Sequence, residues 1–176
     1  MPRMTMIDPA TATGHVKDVF EGPLKGKAFN IFKAMAHSPA ALDAYLGLSG
    51  ALGRGLLSGK EREVIQLAIG QANNCDYCLA AHTAIGKGAG LSEAQTIEAR
   101  RGALAEPKLN ALAKFALNLH EKRGFISDAD LKAFLAAGYN EGAVAEVVAN
   151  YALAVYTNYF NHVNQTTTDF PPAPKI

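Results

Sequence analysis

The chain has 176 residues, with 17 basic against 16 acidic side chains, a formal net charge of +1, 49% hydrophobic residues and 19% charged ones. Near-neutrality leaves no basic excess to displace counterions from phosphates, which excludes a nucleic-acid binder, and the apolar content excludes an intrinsically disordered chain. Two cysteines are too few for a disulfide scaffold, so they are either incidental core residues or chemically employed. The first nine residues are broken by prolines and an aspartate and no apolar stretch follows, so no secretory signal is expected. The longest uncharged stretch, residues 147–168, is interrupted by asparagines and threonines and cannot supply a membrane span. A soluble cytoplasmic protein is the expectation.

Read in chain order, the sequence consists of helices punctuated by caps, with almost no strand signal. Ser38-Pro39 supplies an N-cap followed by proline at the first helical position, and the helix it opens carries Leu42, Tyr45, Leu46, Leu48 and Leu52 until Gly53 and Gly55 end it. Ser58 and Glu61 have capping-box spacing and start a helix through Val64, Ile65, Leu67, Ala68 and Ile69. Asn73-Asn74 closes that helix or bends the chain, and the next runs from about Asp76 to Lys87, stopped by Gly86, Gly88 and Gly90. A second capping box, Ser92 with Gln95, opens a short helix ending near Gly102; Pro107 opens another to Lys122, with Gly124 beyond it. Ser127 begins a short amphipathic helix terminated by Gly138, and Asn140 caps the longest helix, to roughly Asn161.

An all-α, single-domain chain over residues 1–176 is therefore expected, its core motif region at 38–165 and an extended Pro-rich tail at 169–176. The last helix carries Ala143, Val144, Val147, Val148, Tyr151, Ala152, Val155, Tyr156 and Tyr159, which cannot share one narrow stripe. Such a helix is buried, either centrally or in a subunit interface, and abundant small residues favour a homo-oligomer. Tyr151, Tyr156, Tyr159 and Phe160 are read as core or interface residues, and Arg100, Arg101, Lys25 and Lys27 as solvated faces.

Chemistry concentrates in Glu63, Cys75, Cys78 and His82. If the segment after Asn74 is helical, Cys75 and Cys78 are related by i,i+3 and Cys78 and His82 by i,i+4, on one face. A cysteine at a helix N-terminus meets unpaired N–H groups and the helix dipole, which favour a thiolate, and a neighbouring imidazole can take its proton. Two thiols one turn apart can also close a disulfide, so the arrangement suits reversible two-electron redox. Inert structural cysteines and a metal site are the competing readings. The second has only three ligands to offer, because His15, His37, His120 and His162 show no ligand spacing. No metal or bound cofactor is expected. Glu61 is accounted for by its capping box; Glu63 is either a solvated carboxylate or the group that orients His82 and drains its proton.

Glu63, eleven intervening residues, Cys75-Asp76-Tyr77-Cys78, three more and then His82 resemble the core motif of AhpD-like alkylhydroperoxidases, within the carboxymuconolactone decarboxylase superfamily. The likeness extends through Asn74 to His82, on to Gly88-Ala89-Gly90-Leu91-Ser92, and into a tail from Tyr159 to Pro171 similar to that of the peroxidase-related branch. It implies a helical fold assembling into dimers, trimers or hexamers. It also implies reduction of organic hydroperoxides and hydrogen peroxide by the cysteine pair, recycled by a lipoyl-bearing or other dithiol partner. Carried over, Cys78 is the peroxidatic thiol, Cys75 the more exposed resolving thiol, and His82 with Glu63 the proton relay. Helix-dipole reasoning alone favours Cys75 as the more acidic thiol; the i,i+4 pairing with His82 favours Cys78, the assignment taken here. In the best-studied AhpD enzymes a histidine precedes the second cysteine, where this chain has Tyr77. Members that decarboxylate carboxymuconolactone lack the cysteine pair, which argues against that activity. The alternative is a disulfide carrier or redox sensor without peroxidase turnover.

Overall fold

A computed structural model describes residues 1–176 as nine α-helices with no strand: α1 (Gly14–Glu21), α2 (Asn30–Met35), α3 (Pro39–Leu52), α4 (Gly59–Ala72), α5 (Asp76–Gly88), α6 (Glu93–Arg101), α7 (Pro107–Glu121), α8 (Asp128–Ala136) and α9 (Glu141–Asn164). The expected helices from Ser38 onward are all present, and their caps work as read. Ser38, Ser58, Ser92, Ser127 and Asn140 each accept a backbone N–H in the first turn, and three of the five complete reciprocal capping boxes. A cap of this kind contributes about 1 kcal/mol. Two short helices, α1 and α2, precede the first expected element, and α9 continues one turn past Asn161. No helix is long and apolar enough to cross a membrane.

Helix α4 is the axis of the fold, packed against α5, α6, α7 and α9. From Val64 to Gly70 every residue is buried, so its middle has no solvated face. Its apolar side chains join Leu109, Leu112, Phe115, Phe134 and Val147 in a core cluster built mainly by α4, α7, α8 and α9. A second cluster, on the other side of α5, gathers Val19, Phe20, Leu24, Ile31, Phe32, Met35 and Leu42 around Cys75, Tyr77, Cys78 and Ala81. Helix α5 thus lies where the two clusters meet. Burial of this kind stabilises by roughly 25 cal/mol per Å² of apolar surface removed from water.

Arg100 corrects one expectation: it is buried rather than solvated, donating from Nε to Gln71 Oε1 and from a terminal nitrogen to the Pro174 carbonyl. Its guanidinium is thereby used to pin the extended C-terminal tail onto α4 and α6. Two of the three tyrosines of α9 pack as expected, Tyr156 donating to the Ala41 carbonyl and Tyr151 pairing with His120, whereas Tyr159 is exposed.

The α4–α5 turn fixes the cysteines. Asn74 adopts a left-handed conformation (φ 53°). Its N–H bonds to the Gln71 carbonyl, and the Cys75 N–H reaches back to the Gly70 carbonyl at 2.9 Å. That bonding is a Schellman motif, which closes α4 with its last carbonyls satisfied. Cys75, three residues past the end of α4, is simultaneously the N-cap of α5, its sulfur accepting the Cys78 N–H at 3.3 Å. Asn73 braces the turn by donating to Asn158 Oδ1 on α9. A side chain at a left-handed position costs roughly 1–2 kcal/mol except for glycine and, at less cost, asparagine or aspartate. Asn74→Ala is therefore expected to lower unfolding stability by about 1 kcal/mol, and Asn74→Gly to leave it level or raised. Denaturant titration checks both; equal stability of the two variants would remove the turn from this account.

Candidate active site

Cys75 lies outside the regular helix as its N-cap, with extended backbone angles, so only Cys78 and His82 share an α5 face as the sequence anticipates. The two sulfurs are bonded as the Cys75–Cys78 disulfide. One expectation, of exposure, needs correction. The resemblance makes Cys75 the more exposed thiol, yet Cys75 and Cys78 are 1% and 2% exposed, both covered by the second core cluster. What distinguishes them is the space each adjoins. Cys78 borders an apolar cavity of about 400 Å³, together with Glu63 and His82. Cys75 borders a separate depression whose lining residues are mainly polar, among them Asn74, Asp76, Asn161, His162, Gln165 and Thr166.

Glu63 lies just past the first turn of α4, and His82 in the middle of α5. Glu63 Oε2 lies 2.7 Å from His82 Nδ1, with the two side chains 13% and 19% exposed. The helices come this close because Gly86 stands opposite: a Cβ there would lie 3.5 Å from Glu63 Cβ and 3.0 Å from Leu91 Cδ1. Holding Nδ1 against the carboxylate places the imidazole proton on that nitrogen and leaves Nε2 as the basic atom. The sequence-derived quartet of Glu63, Cys75, Cys78 and His82 is thus assembled, with Cys78, Glu63 and His82 on one cavity.

The cavity wall contains residues that the sequence reading does not single out. Leu24, Phe29, Ile31 and Phe32 come from the N-terminal segment, Tyr45 and Leu46 from α3. Burial, as the main cause, pushes the Tyr45 hydroxyl above its ordinary range, so it serves there as a neutral group. Asn161 of α9 donates from Nδ2 to Cys78 Sγ at 3.4 Å. The C-terminal tail adds Phe170 to the wall. Phe170 packs on Phe29, with ring centroids 4.6 Å apart, and meets Tyr77 edge-on at 6.0 Å.

Tyr77, the residue standing in the histidine position, is occupied structurally. Its hydroxyl donates to Asp169 Oδ1 at 2.9 Å, while Asp169 Oδ2 accepts the Asn30 N–H at 2.6 Å. Burial first, and then the Asp169 carboxylate, push the Tyr77 hydroxyl far up, so it stays protonated as a donor. Asp169 thereby clasps the tail over the cavity. No group of three or more His, Cys, Asp or Glu side chains is brought together in a way that would hold a metal ion.

Residues 39–117 match the carboxymuconolactone decarboxylase family. No curated protein matches the chain. Among solved structures, the chain superposes on the alkylhydroperoxidase AhpD core of a peroxidase-related protein from Ralstonia eutropha JMP134 with a TM-score of 0.86. There, 23% of residues are identical, over 96% of this chain and 92% of that one. A peroxidase-related protein from Silicibacter sp. TM1040 gives 0.82 at 22% identity, covering 97% and 90%. The debrominase Bmp8, as a cysteine-to-alanine variant in complex with 2,3,4-tribromopyrrole, gives 0.81 at 16% identity, covering 96% and 92%. At these identities the likeness is one of fold.

The clasp generates a test. Asp169→Ala removes both hydrogen bonds and should let the backbone amides of Asn30 and of the tail around Phe170 exchange with solvent several-fold faster than in the parent chain. Unchanged hydrogen exchange would show that Asp169 does not hold the tail.

Proposed function

We propose that this chain, whose residues 39–117 match the carboxymuconolactone decarboxylase family and whose fold is that of the AhpD core, is an AhpD-like dithiol peroxidase. The observation that carries this reading is the convergence of Cys78, a carboxylate-paired histidine and an apolar cavity, with Cys75 bonded directly behind. In the reduced chain His82, held in place by Glu63, takes the Cys78 proton. The thiolate attacks the outer oxygen of a hydroperoxide; the O–O bond breaks, Cys78 becomes a sulfenic acid, and the alkoxide leaves as an alcohol with the proton from His82. Cys75 then attacks the sulfenic sulfur, releasing water and forming the disulfide. A lipoyl or other external dithiol restores both thiols by exchange, becoming oxidised itself. The cavity lining favours organic over inorganic peroxide.

The same two electrons can reductively remove bromine from an aromatic carbon, giving bromide and the disulfide. The fold shared with a debrominase and the aromatic lining favour this as a second reading. A homo-oligomer fits the exposed Val148, Tyr159 and Val163 of α9.

Organic hydroperoxides and tribromopyrrole, each offered with dihydrolipoamide, thioredoxin or glutathione, separate the readings. Peroxide consumption should be lost in Cys78→Ser. Cys75→Ser should stop after one turnover with a trappable sulfenic acid at Cys78; the reverse pattern would exchange the two roles. Glu63→Gln should slow consumption by roughly 10²–10⁴-fold, the range of general acid–base assistance. Wild-type disulfide exchange without consumption of any peroxide would instead identify a carrier.

A further inference from the structure

We propose that Asn161 is a further catalytic residue of this site, whose carboxamide N–H holds the Cys78 thiolate. The inference rests on the dithiol reading above and adds a group from the far end of the chain.

Helix α9 carries a column of buried polar side chains: Asn150, Thr157, Asn158, Asn161 and Asn164. Most of these have structural employment. Asn150 donates to the Glu146 carbonyl and accepts Gln66 at its own carbonyl. Asn158 accepts from Asn73, bracing the α4–α5 turn, and its Nδ2 has no partner. Asn164 accepts the Met4 N–H and donates to Thr166. Asn161 is set apart by its partner. It is 4% exposed, its Oδ1 has no partner, and its Nδ2 has one, the sulfur of Cys78.

A buried amide whose single bond goes to a sulfur is poorly compensated while that sulfur is in a disulfide, because divalent sulfur is a weak acceptor. A thiolate is a strong one, and a hydrogen bond to the charged form lowers the pKa of the group that bears it. The interaction therefore strengthens on reduction and ionisation, the state in which Cys78 attacks. The opposite amide orientation would set an oxygen against the sulfur and orphan the NH₂, so sulfur is what orients the side chain. Asn161 also borders both the Cys78 cavity and the Cys75 depression, and so forms part of the partition between them.

The helical start alone gives Cys78 no comparable donor, since its own N–H points to Cys75 Sγ. The titratable groups facing the cavity are Lys27 before α2, Tyr45 of α3, Arg62 and Glu63 of α4, and Tyr77 and His82 of α5. His162 of α9 and Asp76 of α5 lie on the depression side. None of them is altered by substitution at Asn161, so a change in Cys78 acidity reports the amide.

The test uses Cys75→Ser as the parent, leaving Cys78 as its lone thiol, with ionisation followed by ultraviolet thiolate absorbance and alkylation against pH. Asn161→Leu, of matched volume, and Asn161→Ala, which avoids overpacking, are each expected to raise the Cys78 pKa by about one unit. That is a roughly tenfold lower thiolate fraction below the pKa. The rate of sulfenic acid formation should fall by the same factor near neutrality and recover at alkaline pH, where a merely structural role would depress it at every pH. In the reduced wild-type chain the Asn161 side-chain amide resonance should titrate with the Cys78 pKa, a measurement that needs no variant to fold. An unchanged thiol pKa in a folded variant, or an amide resonance that ignores Cys78 ionisation, would overturn the proposal. The thiol readouts involve no peroxide: a raised pKa in a chain that consumes none would leave this inference standing and sink the peroxidase reading alone.

Discussion

Cys75 belongs to two helices at once, and the site follows from that. Its N–H closes the Schellman turn of α4 on the Gly70 carbonyl, and its sulfur caps the first turn of α5 through the Cys78 N–H. A residue held at both ends has little freedom, so the second cysteine, one helical turn on, is placed within bonding reach of the first. The same short turn fixes the relative positions of α4 and α5, which brings Glu63 and His82 together although they stand 19 residues apart. Because α4 is buried all round from Val64 to Gly70, this geometry is anchored in the main core rather than on a surface loop. The reactive pair is thus supported by the most deeply buried part of the molecule, as pre-organised chemistry requires.

The four residues legible in the sequence are those that local geometry relates. Helical spacing links Cys78 to His82, and one tight turn links both to Glu63. Helices α3 to α9 are legible for a similar reason: each begins at a capping side chain or a proline, and those signals are local. Helices α1 and α2 offer no such signal. Thr13 and Phe29 stand at their N-caps without a side-chain hydrogen bond; packing in the second core cluster sustains both helices, and Asp169 of the distant tail accepts the first N–H of α2. The cavity wall inherits this blindness, since Leu24, Phe29, Ile31 and Phe32 come from that segment. Asn161 and Asp169 lie 83 and 92 residues from the side chains they bond, and only tertiary folding joins them.

The two sulfurs face different surroundings. Cys78 adjoins a cavity walled by aromatic rings together with Lys27, Arg62, Glu63 and His82; Cys75 adjoins a depression lined mainly by polar residues. Both are buried, which revises the picture of a resolving thiol held out to solvent. The disulfide has one end on each space. Tyr77 with Asp169 draws the tail across the Cys78 cavity, and the position that a histidine fills in the best-studied AhpD enzymes is given over to architecture.

The central claim is that this cysteine pair, driven by its histidine and glutamate, delivers two electrons to a bound substrate. The most direct measurement is a single turnover of the fully reduced wild-type chain, without any recycling dithiol, against an organic hydroperoxide. The account predicts one peroxide consumed for every two thiols lost, with the Cys75–Cys78 disulfide as the protein product, and at a rate well above that of a free dithiol at equal concentration. Consumption no faster than the free dithiol, or thiol loss out of step with peroxide, would contradict it.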